Sequence, residues 1–132
     1  MLQIRGYVFE YTAIDIARLR FNNDTGTNYS ANSRDNNTGG TSVQNVTAIR
    51  VADTAQDRSR WFVVDILNLS TAPKIVTGRG VSGRARAQDP QVINEFGGVW
   101  ENNAQVTTVT LNGGANGAQL KAGSFLEIWG SD

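Results

Sequence analysis

The chain has 132 residues, 39% of them apolar, which is enough to fill the core of one domain without disulfides or metal. Its 12 basic and 12 acidic side chains balance to a formal net charge of zero, which speaks against nucleic acid as a partner, and no apolar run is long enough to span a membrane. With no cysteine and no histidine, the sequence excludes disulfides, Cys/His zinc sites, thiol nucleophiles and histidine-based triads or proton relays.

In chain order, Leu2 to Phe9 reads as a strand with Leu2, Ile4 and Val8 on one face, and Met1 to Arg5 offers no apolar stretch for a signal peptide. Thr12 to Arg20 is the best helical candidate, through Ala13, Ile16 and Ala17, but alternation fits its end better. Ala17 to Phe21 places Leu19 and Phe21 inward and Arg18 and Arg20 outward. A long polar loop is expected over about 22–42. Val46 to Val51 alternates again, and Arg60 to Leu69 reads as a central strand with Asp65 as its one charged interruption. Lys74 to Arg79, Gln91 to Trp100, Gln105 to Leu111 and Ser124 to Trp129 supply further strands, with an extended piece over Gly80 to Ala87 and a turn at Gly113 to Gly117.

About eight short strands with frequent turns predict a single all-β domain over residues 1–132. The predicted fold is an antiparallel two-sheet β-sandwich, jelly-roll-like in topology. Asn, Gly, Thr and Ser together make up 47 residues, as many turns and polar strand faces require, and 10 Arg stand against 2 Lys. Arginine's planar fork suits fixed contacts at protein interfaces.

Three stretches carry a resemblance: Leu2-Gln3-Ile4-Arg5-Gly6, then Leu19 to Ser30 (LRFNNDTGTNYS), then Ala122 to Gly130 (AGSFLEIWG). In this order, together with Asp65 to Asn68 and Gly98 to Ala104, they resemble a family of tailed-bacteriophage virion proteins across nearly the whole chain. That resemblance implies a small β-sandwich module on the particle, a head decoration or a tail or fibre component, assembled in the host bacterial cytoplasm and located on the virion. It brings no catalytic residues and no cofactor. Family members have glycine where this chain has Asn23, and asparagine tolerates the left-handed turn. Members also carry a strand ahead of the first motif. If Met1 is the true start, a sheet edge is expected to be open to a neighbouring subunit.

The candidate sites divide by chemistry. Asp24-Thr25-Gly26 matches the core triplet of aspartic proteases but lacks their flanking apolar and small residues, so side-chain to backbone hydrogen bonds shaping a tight turn are expected instead. Calcium would need six or more oxygens, and Asp24 and Asp35 are the only carboxylates of that loop. Asp65 and Glu127 are the two carboxylates within apolar strands worth naming for glycoside hydrolysis, and an outward or Arg-paired role is preferred. Trp61 and Trp129 are expected in the core. Tyr29, Trp100 and Asn102 are the glycan-binding candidates, with both rings expected to be exposed. Tyr29, Arg34, Arg79, Arg84 and Arg86 are the protein-contact candidates.

The leading expectation is a non-enzymatic capsid decoration or cement protein that bridges capsid subunits. Its partners would be the major capsid protein or other virion proteins, and it would be a homo-oligomer, with a trimer suited to local threefold positions. The alternative is a tail or fibre module binding host-surface glycan. No metal or cofactor is expected in either role.

Overall fold

The computed structural model describes residues 1–9, 17–36, 40–51, 59–83, 92–113 and 120–130. The readings that fall on Thr12 to Ile16, Arg84 to Ala87 and Gly114 to Gly117 lie outside the described residues. Among the described residues ten strands run in chain order: β1 (Leu2–Val8), β2 (Arg18–Phe21), β3 (Tyr29–Asp35), β4 (Thr41–Val46), β5 (Ile49–Arg50), β6 (Ser59–Ile66), β7 (Lys74–Gly83), β8 (Val92–Trp100), β9 (Val109–Asn112) and β10 (Phe125–Gly130). They form an antiparallel sheet of order β10-β1-β6-β7-β8-β3-β4 and a second of order β5-β2-β9. The expected all-β two-sheet sandwich is therefore the architecture. The chain passes between the sheets repeatedly: from β1 to β2 and back at β3, from β4 to β5 and back at β6, and from β8 to β9 and back at β10.

The core lies between the sheets. Along β6, Arg60, Phe62, Val64 and Ile66 point inward, and Ile4 and Val8 of β1 do the same. The small sheet contributes Leu19, Phe21 and Ile49, fully buried, so the alternation at Leu19 and Phe21 is as expected. Each such side chain contributes about 1.5–3 kcal/mol by leaving water. Gly6 serves this packing, because the ring of Phe62 lies across β1 where a side chain would otherwise stand. A Cβ at Gly6 would sit 2.2 Å from Phe62 Cζ.

Two expectations need correction. The polar loop expected over 22–42 is instead a turn followed by β3 and β4. Serine, asparagine and arginine dominate β3, so its sequence has little strand character. What makes it a strand is pairing with β8 over its full length, from Tyr29↔Trp100 to Asp35↔Asn94. The stretch Val46 to Val51 is not one strand either. It ends β4, turns through Thr47 and Ala48, and enters the other sheet as β5. Asparagine enables these bends. Asn22, Asn23, Asn36 and Asn45 are the non-glycine residues with left-handed φ among the described residues, and Asn45 sits at the bulge where the β3–β4 register shifts. Among the described residues β1 lies between β10 and β6, and β10 and β4 are the outermost strands of the large sheet.

Gly6→Ala should lower stability by about 1–3 kcal/mol through overpacking against Phe62, read from the urea midpoint. Combined with Phe62→Leu, it should cost less than the sum of the two single changes, because the ring is what the new methyl meets.

Candidate functional site

Two places concentrate side-chain chemistry, a turn that closes over the core and one face of the large sheet. The first is the turn from β2 to β3, where Asp24 is half-buried. Asp24 Oδ1 accepts the amide N–H of Gly26 at 2.8 Å. Asp24 Oδ2 accepts Asn28 Nδ2 at 3.0 Å and Trp100 Nε1 at 2.7 Å. These donors hold the Asp24 carboxyl below its ordinary range, with the Asn28 amide the largest cause and the indole next. The Tyr29 hydroxyl accepts the Phe21 amide at 3.0 Å and donates toward the carbonyl oxygens of Phe21 and Asp24, each at 3.3 Å. Phe21, Tyr29 and Trp100 then form an aromatic triad, with the Tyr29 and Trp100 rings 6.1 Å apart and 18° from parallel.

The Asp24-Thr25-Gly26 triplet thus shapes a tight turn, as its flanks suggested, and both carboxylate oxygens serve protein donors. Asp35, the other carboxylate weighed for calcium, stands at the far end of β3, about 20 Å along the strand, where it accepts Asn94 Nδ2. Among the described residues, no group of three or more His, Cys, Asp or Glu side chains is placed to hold a metal ion.

The expected exposure of the aromatic residues is reversed. Tyr29 and Trp100 are 1% and 0% exposed, whereas Trp61 and Trp129 are 44% and 59% exposed. Tyr29 and Trp100 face each other across the β3–β8 pairing on the inward side, so neither ring is available to a sugar or a partner. Asn102 is a turn residue: its carbonyl accepts Lys74 Nζ at 3.1 Å and its Oδ1 accepts the Ala104 amide at 2.8 Å. Lys74 itself is buried opposite Trp100, and desolvation pushes its ammonium down from the ordinary lysine value.

The surface place is the outer face of the seven-stranded sheet. Register sets its side chains in rows across the strands. One row is apolar, running from Phe125 on β10 through Tyr7, Trp61 and Val81 to Ile93 on β8. Phe125, Trp61, Val81 and Ile93 are all exposed, and Tyr7 packs on Phe125 with centroids 5.9 Å apart. The next row is charged: Glu127, Arg5, Val63, Arg79, Glu95 and Arg34. Arg34 and Glu95 are ion-paired, both half-exposed. Arg5 donates to Gln3 Oε1 through Nε and Nη2 at 3.2 and 3.1 Å and lies 5.9 Å over the Trp129 ring, while Gln3 Nε2 donates to Asp65 Oδ1 at 3.0 Å.

Gly97 leaves a gap between Thr77 and Asn32, and a shallow depression of about 650 Å³ opens there, bounded by Gln3, Asp65, Arg79 and Arg34. Asp65 and Glu127 share this face but are separated by β1 and offset by one row. Strand geometry puts them about 12 Å apart, too far for a glycosidase pair and in keeping with their outward reading.

Of the protein-contact candidates, Arg34 and Arg79 are brought together on either side of Glu95, Tyr29 is buried, and Arg84 and Arg86 lie outside the described residues. The sequence reading missed the aromatic members of this face, Trp61, Phe125 and Trp129. Their signal was present, since Phe125, Glu127 and Trp129 alternate with Leu126 and Ile128, and a charged residue among the odd positions marks the solvent side.

Asp24→Ala should cost about 1–3 kcal/mol by leaving the buried indole N–H without its acceptor, measured by denaturant unfolding. Asp24→Asn tests the charge. The depressed carboxyl contributes stability that is present above its ordinary value and lost as pH falls through the folded-state value. The stability gap between wild type and Asp24→Asn should therefore be constant near neutrality and close below about pH 4.

Comparison with protein-family models, with curated proteins and with solved structures finds no match for this chain.

Proposed function

We propose that this chain is a structural protein of a bacteriophage particle, a capsid decoration or cement protein that holds protein subunits together and catalyses no reaction. The observation that carries the reading is the outer face of the seven-stranded sheet, where an exposed aromatic and aliphatic row runs beside a row of arginine and glutamate. Contiguous apolar surface of this kind on a small domain is what a partner covers, and tryptophan, tyrosine and arginine are the side chains that dominate protein-contact energies. The ordered sequence motifs supply the phage context. The partners are the major capsid protein or other virion proteins, and stabilisation follows by mass action, because the protein binds the assembled shell and not its separated subunits.

The second reading is a tail or fibre module binding glycan. The observation in its favour is the polar depression at Gly97, which replaces Tyr29 and Trp100 as the place for a sugar.

Protein added to expanded capsids that lack it should bind and raise their melting temperature. Trp61→Ser should weaken that binding about tenfold or more while lowering the domain's own stability by about 1 kcal/mol. Capsids that neither bind the protein nor change in stability would sink the reading. Binding on a glycan array that Asp65→Ala abolishes would favour the second.

A further inference from the structure

We propose that the partner of the open sheet face is a second copy of this chain, joined face to face about a two-fold axis that runs parallel to the strands between β6 and β7. The proposal rests on the reading above in taking this face as a protein-contact surface.

The charged row is the reason. In sheet order it reads Glu127, Arg5, Val63, Arg79, Glu95, Arg34. A two-fold axis along the strands reverses the strand order and lays every row on itself. It sets β10 over β3, β1 over β8 and β6 over β7. Glu127 then faces Arg34 of the second copy, and Arg5 faces Glu95 of the second copy. Each pair occurs twice by symmetry, and every one of them joins opposite charges. The Arg79 side chain makes no hydrogen bond or ion pair with the described residues of its own chain. In the pair it stands over Val63 of the second copy, beside the Asp65 carboxylate. The two positions at each end of the row, though not the central Val63 and Arg79, read the same in charge after reversal with change of sign, as a self-complementary contact requires.

The other rows agree with this placement. In the apolar row, Trp61 meets Val81 and Tyr7 meets Ile93. In the polar row, Gln3 of one copy enters the depression over Gly97 of the other, and its side chain is already braced by Arg5 and Asp65. Six strands at about 4.8 Å and four side-chain rows at about 7 Å, the fourth carrying Leu67, Ile75 and Val99, make a face on the order of 800 Å². That equals the area per partner of a standard stable interface. Two sheets meeting this way pack as aligned sheets about 10 Å apart, turned by about 30° through their own twist. The aromatic row supplies the affinity, and the exposed charge pairs set the register. In the pair this face is covered by the second copy, so each copy meets its shell subunit through another surface, and Trp61→Ser weakens shell binding by undoing the pair that bridges neighbouring subunits.

The test is the mass of the full chain by sedimentation equilibrium, with capsids absent. Wild type should form a concentration-dependent dimer. Arg5→Glu and Glu95→Arg each place like charges in contact twice, and each should raise the dimer dissociation constant by about tenfold or more. An equimolar mixture of the two variants should regain the dimer, because both mixed contacts then join opposite charges. The double variant should regain it as well. Each single variant should still melt cooperatively at low concentration, Glu95→Arg below wild type because it also breaks the Arg34 pair of its own chain.

A wild-type mass of monomer or trimer at every concentration overturns the proposal, as does a mixture no more associated than its components. A monomer that still stabilises capsids or binds glycan overturns the pairing alone. A dimer that leaves capsids unaffected keeps the pairing and removes the capsid reading.

Discussion

The indole N–H of Trp100 donates to Asp24 Oδ2 over 2.7 Å, and the arrangement of the sandwich depends on that bond. Asp24 lies in the turn where the chain leaves the small sheet at Phe21 and enters the large one at Tyr29. Trp100 ends β8, so the bond ties the crossover between sheets to the strand that β3 must pair with. The carboxylate can play this part because Gly26 and Asn28 donate to it from the same turn, which keeps it ionised and fixed in place. A buried indole needs an acceptor, and a neutral apolar neighbour would leave its N–H unsatisfied at a cost of about 1–3 kcal/mol.

From that anchor the rest of the core follows. Tyr29, set opposite Trp100 by the register, turns its ring inward and returns its hydroxyl to the backbone of β2. Asn22, at the other side of the same turn, accepts the amides of Thr107 and Thr108 at 2.8 and 3.1 Å and donates to the Gln105 carbonyl at 2.7 Å. The chain approaching β9 is thereby joined to β2. The polar side chains of Asn22, Asp24 and Asn28 thus tie the turn to the chain itself, while Asn23, Thr25 and Thr27 stay exposed.

The second layer of the sandwich covers only the inner side of the large sheet. Nothing among the described residues covers its outer side, so side chains there stand on a broad surface formed by many strands. Trp61 illustrates the consequence. It belongs to the most apolar stretch of the chain, yet its ring projects to the outside next to Val81 and Tyr7. Arg34 and Arg79, far apart in sequence, become neighbours of Glu95 because β3, β8 and β7 are adjacent. A surface of this kind is a product of strand order, and it appears in no single segment.

Local pattern was enough to read the all-β class, the two-sheet architecture and most strands. Leu19 and Phe21 alternate with arginines, and a strand with one wet face has no other way to satisfy both kinds of side chain. The turn role of Asp24 was legible from its short-range partners Gly26 and Asn28 for the same reason. The identity of β3 was not, because serine and asparagine pair as a strand only when a long-range neighbour such as β8 provides the ladder. Nor was the direction of each tryptophan. Arg60 to Ile66 offers apolar residues on both faces, so alternation divides Phe62, Val64 and Ile66 from Trp61 and Val63 without saying which group lies inside. That choice belongs to the packing of one sheet on the other. Gly6 makes room for Phe62 on the inner side, and nothing among the described residues covers Trp61 on the outer.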